Sequence, residues 1–196
     1  MQVFNYQEKA NDFSVPFDWD AEDYNIDYLV DEIAEKFFGE REAVGNAWRP
    51  TFFGVVNLKQ KLGDLGSLVR DDIIIMSQKA VDTLRPLIQA SVELLSYKTE
   101  VGLYYLINLL DEGDYLDRAQ TECDRILPNG LCAGITRFVF DANKLKGKHI
   151  FRIPDRPTTR FISGEFVAMC RQHGLQGIEL TDKAKLWEDE EASPES

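Results

Sequence analysis

Phe161-Ile-Ser-Gly-Glu-Phe-Val-Ala-Met-Cys-Arg-Gln-His-Gly174 is the stretch on which the fold assignment turns. Two apolar residues run into Ser163, a side chain that suits a helix N-cap because its oxygen accepts from a backbone N–H in the first turn. Phe166, Val167 and Cys170 then fall on one helical face. Gly174 supplies the left-handed residue that closes a helix, with His173 in the last turn, where the helix dipole favours positive charge. The same device occurs earlier: Asp71 to Met76 reads as a short buried strand, Ser77 as a cap, and Ala80, Val81, Leu84 and Ile88 as an apolar helical face. Pro86 lies inside that pattern and predicts a helix that ends or kinks near Arg85. Outward from these units, β-rich runs occur at Trp48 to Leu58, Ser91 to Tyr97, Val101 to Leu110, Ile135 to Phe140, Lys148 to Ile153 and Ile178 to Leu180. The glycine-bearing stretch from Gly63 to Ser67 reads as a loop. Strand runs with a few separated helices, and no regular βα alternation, predict an α+β fold with a mostly antiparallel sheet and a few packed helices.

The first 25 residues are acidic and aromatic, with Pro16 favouring extended structure. From there Ile26, Leu29, Val30, Ile33 and Phe37 repeat at helical spacing, with Asp27, Asp31 and Glu35 on the polar side and Gly39 as a stop. The expected organisation is an acidic N-terminal part (1–69) packed on the rest, an α+β core (70–181), and an acidic tail (182–196) frayed after about Trp187.

Charge is distributed unevenly along the 196 residues, whose net charge is −12. Residues 1–40 hold 11 acids against 2 bases, residues 111–124 hold 6 against 1, and residues 182–196 hold 6 against 2, while the remainder is net basic. Phosphate recognition draws on clustered Lys and Arg, so nucleic acid and anionic membranes are disfavoured partners. A basic protein surface is favoured, because complementary potentials accelerate encounter. The N-terminus shows no basic segment followed by an apolar stretch, and the longest aliphatic run, Ile73 to Met76, falls far short of the roughly 20 residues of a membrane helix. A cytoplasmic location is expected. The three cysteines, Cys123, Cys132 and Cys170, are odd in number and lack two-residue spacing, which fits small buried thiols in a reducing compartment.

Chemical motifs are scarce. Ser163 has no Gly-x-Ser-x-Gly frame, the glycines form no phosphate-cradling loop, and His149 lacks a sequence-level catalytic partner. No catalytic, cofactor-binding or metal-ligating residue is assigned. Asp111, Glu112, Asp114 and Asp117 form the densest carboxylate cluster, but the spacing is not that of a calcium loop. Ordinary turn and surface residues are the plain alternative for this cluster. Phe151 is expected in the core, and Arg152 is expected to pair with an acid from the 111–124 stretch.

Four pieces of the second half carry a resemblance. They are Val101-Gly-Leu-Tyr-Tyr-Leu-Ile-Asn-Leu-Leu110, Asp111-Glu-Gly-Asp-Tyr-Leu-Asp117, His149-Ile-Phe-Arg-Ile153 and the run from Phe161 to Leu180. In this order, over roughly residues 70 to 180, they resemble a family of bacterial immunity proteins encoded beside polymorphic toxin genes, often in type VI secretion or contact-dependent systems. The resemblance implies a non-enzymatic inhibitor that binds a cognate, cytoplasm-acting toxin and occludes its active site. A nuclease is the leading toxin class, because nuclease substrate grooves are basic. Within that reading the candidate partner-binding residues are Asp27, Asp31 and Glu35 on the acidic helix and Asp111, Glu112, Asp114 and Asp117 after the Tyr-Tyr-Leu strand. The alternative is a small-ligand-binding domain or enzyme whose site is assembled from scattered residues, which would show as a deep, closed pocket.

Overall fold

The computed structural model describes residues 1–9, 12–15, 42–49, 61–68 and 73–189. Two four-stranded sheets, each carrying one helix, make up its centre. The first sheet joins β4 (Leu65–Leu68), β5 (Ile73–Ser77), β7 (Gly102–Leu109) and β6 (Val92–Thr99), in that spatial order. The second joins β10 (Ile150–Ile153), β11 (Arg156–Ser163), β1 (Gln2–Asn5) and β12 (Lys185–Glu188). All pairings in both are antiparallel. A separate hairpin is formed by β8 (Glu122–Ile126) and β9 (Cys132–Arg137), and a two-residue parallel ladder by β2 (Phe13–Ser14) and β3 (Lys61–Leu62). The architecture is α+β and mostly antiparallel, as the sequence predicts.

Both helices begin as expected. Ser77 Oγ accepts from Ala80 N at 3.1 Å to start α1 (Gln78–Ile88), and Ser163 Oγ accepts from Phe166 N at 3.1 Å to start α2 (Gly164–Gln172). Gly174, at φ +61°, follows the second helix, and Leu175 N reaches back to Cys170 O. Pro86 does not end α1, which continues to Ile88. A proline at this point removes one hydrogen bond near the end of the helix, and burial of Leu84 and Ile88 keeps the last turn in place. Each wholly buried aliphatic side chain contributes about 1.5–3 kcal/mol, enough to offset that loss.

Strand alternation sorts the side chains into three cores. Ile74 and Met76 face the helices, while Ile73 and Ile75 face Val15, Val44 and Tyr97 on the outer side. In the second sheet Phe4, Ile150 and Ile162 join the helical core; Val3, Phe151 and Phe161 face an aromatic core with Phe140, Leu116 and Trp187. The helical core takes residues from both sheets and both helices.

The Gly63–Ser67 stretch is not a loop. Leu65 to Leu68 pair with β5, Leu65 opposite Met76, and Asp64 N and Leu65 N both donate to Gln176 O. The glycines serve close approach rather than turning: a Cβ on Gly66 would sit 2.4 Å from Val15 Cγ1. Trp48 and Arg49, where a strand is expected, are not in a strand, and the rest of that run lies outside the described residues. Ile178 makes only an isolated bridge with Glu8 instead of a strand. Strands from residues 1–69 and from the acidic end enter the same sheets as the 70–181 core, β1 lying between β11 and β12.

The sheets are linked by the Asp-rich stretch. Arg152 N donates to Asp111 O at 2.9 Å and Gly113 N to Arg152 O at 3.2 Å, so the chain leaving β7 runs beside β10. Arg152, 6% exposed, donates to Leu109 O and has Glu112 Oε2 at 3.7 Å from its Nε. The expected pairing of Arg152 with an acid of the 111–124 stretch is therefore present, and Phe151 is fully buried.

Candidate functional site: an open acidic groove

Beyond Asp111 the chain folds back on residues 139–141. Asp117 N donates to Val139 O and Asp141 N to Tyr115 O, both at 2.9 Å, across an antiparallel bridge between Leu116 and Phe140. Leu116 and Phe140 point inward, and Phe140 meets Phe151, Phe161 and Trp187 edge-on at 5.5–5.9 Å. Asp117 and Asp141 lie at opposite ends of this bridge, Asp117 across from Val139 and Asp141 across from Tyr115, and both line one groove. Each carboxylate initiates a turn: Asp117 accepts from Ala119 N and Gln120 N, and Asp141 from Asn143 N and Lys144 N. The Gln120 amide, and then those backbone N–H groups, hold the Asp117 carboxyl below its ordinary value, so it is anionic at neutral pH.

The opposite wall comes from the chain's last described strand. Trp187 is half-buried on the aromatic core, Glu188 accepts from Lys185 at 2.9 Å and from Gln2 at 2.6 Å, and Asp189 N donates to Met1 O. Lys185 first, then Gln2, lower the Glu188 carboxyl. Between the walls lies a groove of about 460 Å³ whose lining includes Asp117, Asp141, Glu188 and Asp189, together with Arg137 and the ring of Trp187. Arg137 is engaged by Glu122 at 2.8 Å. The groove is open to solvent and negatively charged, suited to receiving cationic side chains over an aromatic surface.

Among the described partner-binding candidates predicted from the sequence, Asp117 alone lines this groove. Asp111 has only 7% of its side chain exposed; its oxygens accept from Ser91 at 2.9 Å, from Lys148 at 2.7 Å and from the Tyr115 hydroxyl. That carboxylate ties its own loop to Ser91 and Lys148 and acts within the fold. Glu112 lies against Arg152. Asp114 is half-exposed, 2.8 Å from Arg118, with Lys144 at 3.8 Å. Asp27, Asp31 and Glu35 lie outside the described residues. Asp141, Glu188, Asp189, Arg137 and Trp187 carry no sequence signal that marks them as a site. For Glu188 and Asp189 the one hint is the acidic charge after residue 182, which reads as a tail, whereas Lys185–Glu188 is a strand paired with β1.

His149 Nδ1 lies 3.0 Å from Ser163 Oγ, and the His149 carbonyl accepts from Ser163 N. Among the described residues no three His, Cys, Asp or Glu side chains converge to hold a metal ion, and no helix is long and apolar enough to cross a membrane.

No curated protein matches the chain. Residues 90–185 match the model of an immunity protein family, Imm11. The matched span runs from just before β6 to the first residue of β12, taking in the bridge between residues 116 and 140, the β8–β9 hairpin and α2. Over residues 90–185, which carry one wall of the acidic groove, the chain is similar to the Imm11 immunity proteins, in agreement with the resemblance carried by its four motifs.

Proposed function

We propose that this protein neutralises a cognate bacterial toxin by binding it directly, with the acidic groove receiving a basic segment of the toxin and covering its active site. The match of residues 90–185 to an immunity family carries this reading. The groove supports it: among the described residues four carboxylates line an open surface of the kind a protein partner fills, whereas small ligands favour enclosed apolar sites. Asp117, Asp141, Glu188 and Asp189 are the central contacts in this reading, and Asp27, Asp31, Glu35, Glu112 and Asp114 are further acidic candidates from the sequence. The toxin is one that acts in the cytoplasm, where its inhibitor resides, and it is delivered by a type VI or contact-dependent apparatus. A nuclease fits best, because a basic substrate groove is complementary to this surface. The protein works without catalysis.

The test is calorimetric titration against the purified, catalytically disabled product of the adjacent gene. One-to-one binding at nanomolar affinity, about −12 kcal/mol, is expected, weakening as salt rises. The double charge reversal Asp141→Lys with Glu188→Lys should lower affinity at least tenfold and flatten the salt dependence. No binding at micromolar concentration, with the toxin still active in excess inhibitor, would end the immunity reading for that pair. Tight binding that the charge reversals leave unchanged would keep immunity and move the interface elsewhere.

A further inference from the structure

Cys123 and Cys132 sit on the two strands of the β8–β9 hairpin with their sulfurs 2.7 Å apart. They are not register partners: Cys123 lies opposite Ile135, and Cys132 opposite Ile126. The hairpin around them is irregular. The register shifts between Glu122 and Cys123, and Gly134 takes φ +67° with Asp124 packed where its Cβ would be. Their surroundings differ. Cys123 is partly exposed, while Cys132 is 6% exposed and its N–H donates to Asp155 Oδ1 at 2.6 Å. Burial, then the neighbouring Cys123 sulfur and Asp155, raises the Cys132 thiol, so it keeps its proton at neutral pH. The third cysteine, Cys170, is fully buried in the helical core, its thiol pushed up to about 12 by burial.

We propose that Cys123 and Cys132 form a peroxide-responsive dithiol, with Cys123 the reacting sulfur and Cys132 the resolving one. In the first step the Cys123 thiolate attacks one oxygen of hydrogen peroxide, the O–O bond breaks, and a sulfenic acid forms with release of hydroxide. In the second, the Cys132 sulfur attacks the Cys123 sulfur, the S–O bond breaks, and the departing hydroxide takes up the Cys132 proton. Two thiols thereby lose two electrons and two protons, and the peroxide becomes two waters. The disulfide closes a ring around the hairpin tip, where Ile126 is 70% exposed, inside the segment matched to the immunity family. A small dithiol reductant reverses the reaction.

The experiment treats the full chain with a slight excess of hydrogen peroxide under native conditions, then counts thiols after denaturation and maps peptides by mass. Loss of two of the three thiols, with one peptide pair joining Cys123 to Cys132, Cys170 intact and the original mass restored by dithiothreitol, is the expected result. Cys132→Ser should stop at a Cys123 sulfenic acid that a dione reagent traps, and Cys123→Ser should leave Cys132 reduced over the same time. Three thiols persisting, oxidation beginning at Cys170, or covalent dimers in place of the internal bond would overturn the proposal. Cys170→Ser separates pair chemistry from general unfolding, because the pair should still close in it.

Discussion

Arg118 and Asp155 should contribute unequally to stability, and the inequality is the sharpest test of how the hairpin is anchored. The Asp155 side chain is wholly buried and accepts from Arg118 Nη1 at 2.6 Å, Arg118 Nη2 at 2.9 Å and Cys132 N at 2.6 Å. Arg118 keeps 31% of its side chain exposed and also holds Asp114. Asp155→Ala leaves a guanidinium that swings into water and an orphaned Cys132 N–H, a cost of about 2 kcal/mol. Arg118→Met keeps an apolar stem but strands a carboxylate away from water, a cost of about 3–4 kcal/mol. Urea unfolding followed by circular dichroism reads both: with a slope of about 2–3 kcal/mol per molar, midpoints should fall by about 1 M and about 1.5 M. The double variant should cost clearly less than the two added together. The pH dependence carries a second check. In the wild type burial would raise the Asp155 carboxyl, but Arg118 and the Cys132 N–H outweigh it and hold it low. Its contribution is therefore complete above the unfolded carboxylate range and is lost as pH falls through the lowered folded value. In Arg118→Met only backbone N–H groups, Cys132 N among them, still oppose burial, the folded carboxyl rises above its wild-type value, and the excess cost should shrink as pH falls from about 7 to about 4.5. Equal midpoints for the two variants, additive costs, or a gap that does not depend on pH would refute the argument.

Gly177 lies at φ +121°, and a Cβ there would sit 1.8 Å from Leu65 O, so Gly177→Ala should cost several kcal/mol in thermal or urea unfolding. Gly174→Ala, at φ +61° with open space around it, should cost only about 1 kcal/mol. Burial raises the Tyr6 and Tyr97 hydroxyls well above the ordinary tyrosine value. A folded value raised in this way gives stability that is complete below the unfolded tyrosine range and lost as pH rises through the folded value. An alkaline titration should show these two tyrosinates appearing only with unfolding, and in Tyr97→Phe one late-titrating group should disappear. Asp111→Asn should lower stability by about 1–3 kcal/mol, because the Lys148 ammonium loses its anion, and should leave toxin affinity within twofold.

Parts of the fold set by neighbours in sequence were legible, and parts set by distant contacts were not. Ser77 and Ser163 announce their helices because a cap is a matter of three consecutive residues. The β6–β7 hairpin is equally local, its eight pairs running from Val92 opposite Leu109 to Thr99 opposite Gly102. Gly66 misled because a glycine that admits Val15 looks the same in sequence as one that permits a turn. Asp111 misled in the opposite direction. An aspartate in a polar, glycine-bearing stretch reads as surface, and only Lys148, 37 residues on, reveals that it is buried and paired. Arg152 was the fortunate case, since a charged residue inside an apolar strand must find an acid, and the nearest dense supply was the 111–124 stretch.

The groove could not have been read from sequence, because its walls meet through the first strand of the chain and through the contact of Phe140 with Trp187, 47 residues apart in sequence. Asp117 and Asp141 stand on the bridge between residues 116 and 140, within the family-matched segment; Trp187, Glu188 and Asp189 lie just beyond it. β12 reaches the body of the protein through β1, with Gln2 opposite Glu188 and Val3 opposite Trp187, while Val3 also lies opposite Ser163 of β11. The matched segment thus supplies β6 and β7 to one sheet and β10 and β11 to the other, and strands from outside it complete both. Such a division suits an inhibitor that must track one partner. A structural core fixed by Asp111, Arg152 and Asp155 holds one wall, and the opposite wall rides on flanking strands where charge can change with little disturbance to the core.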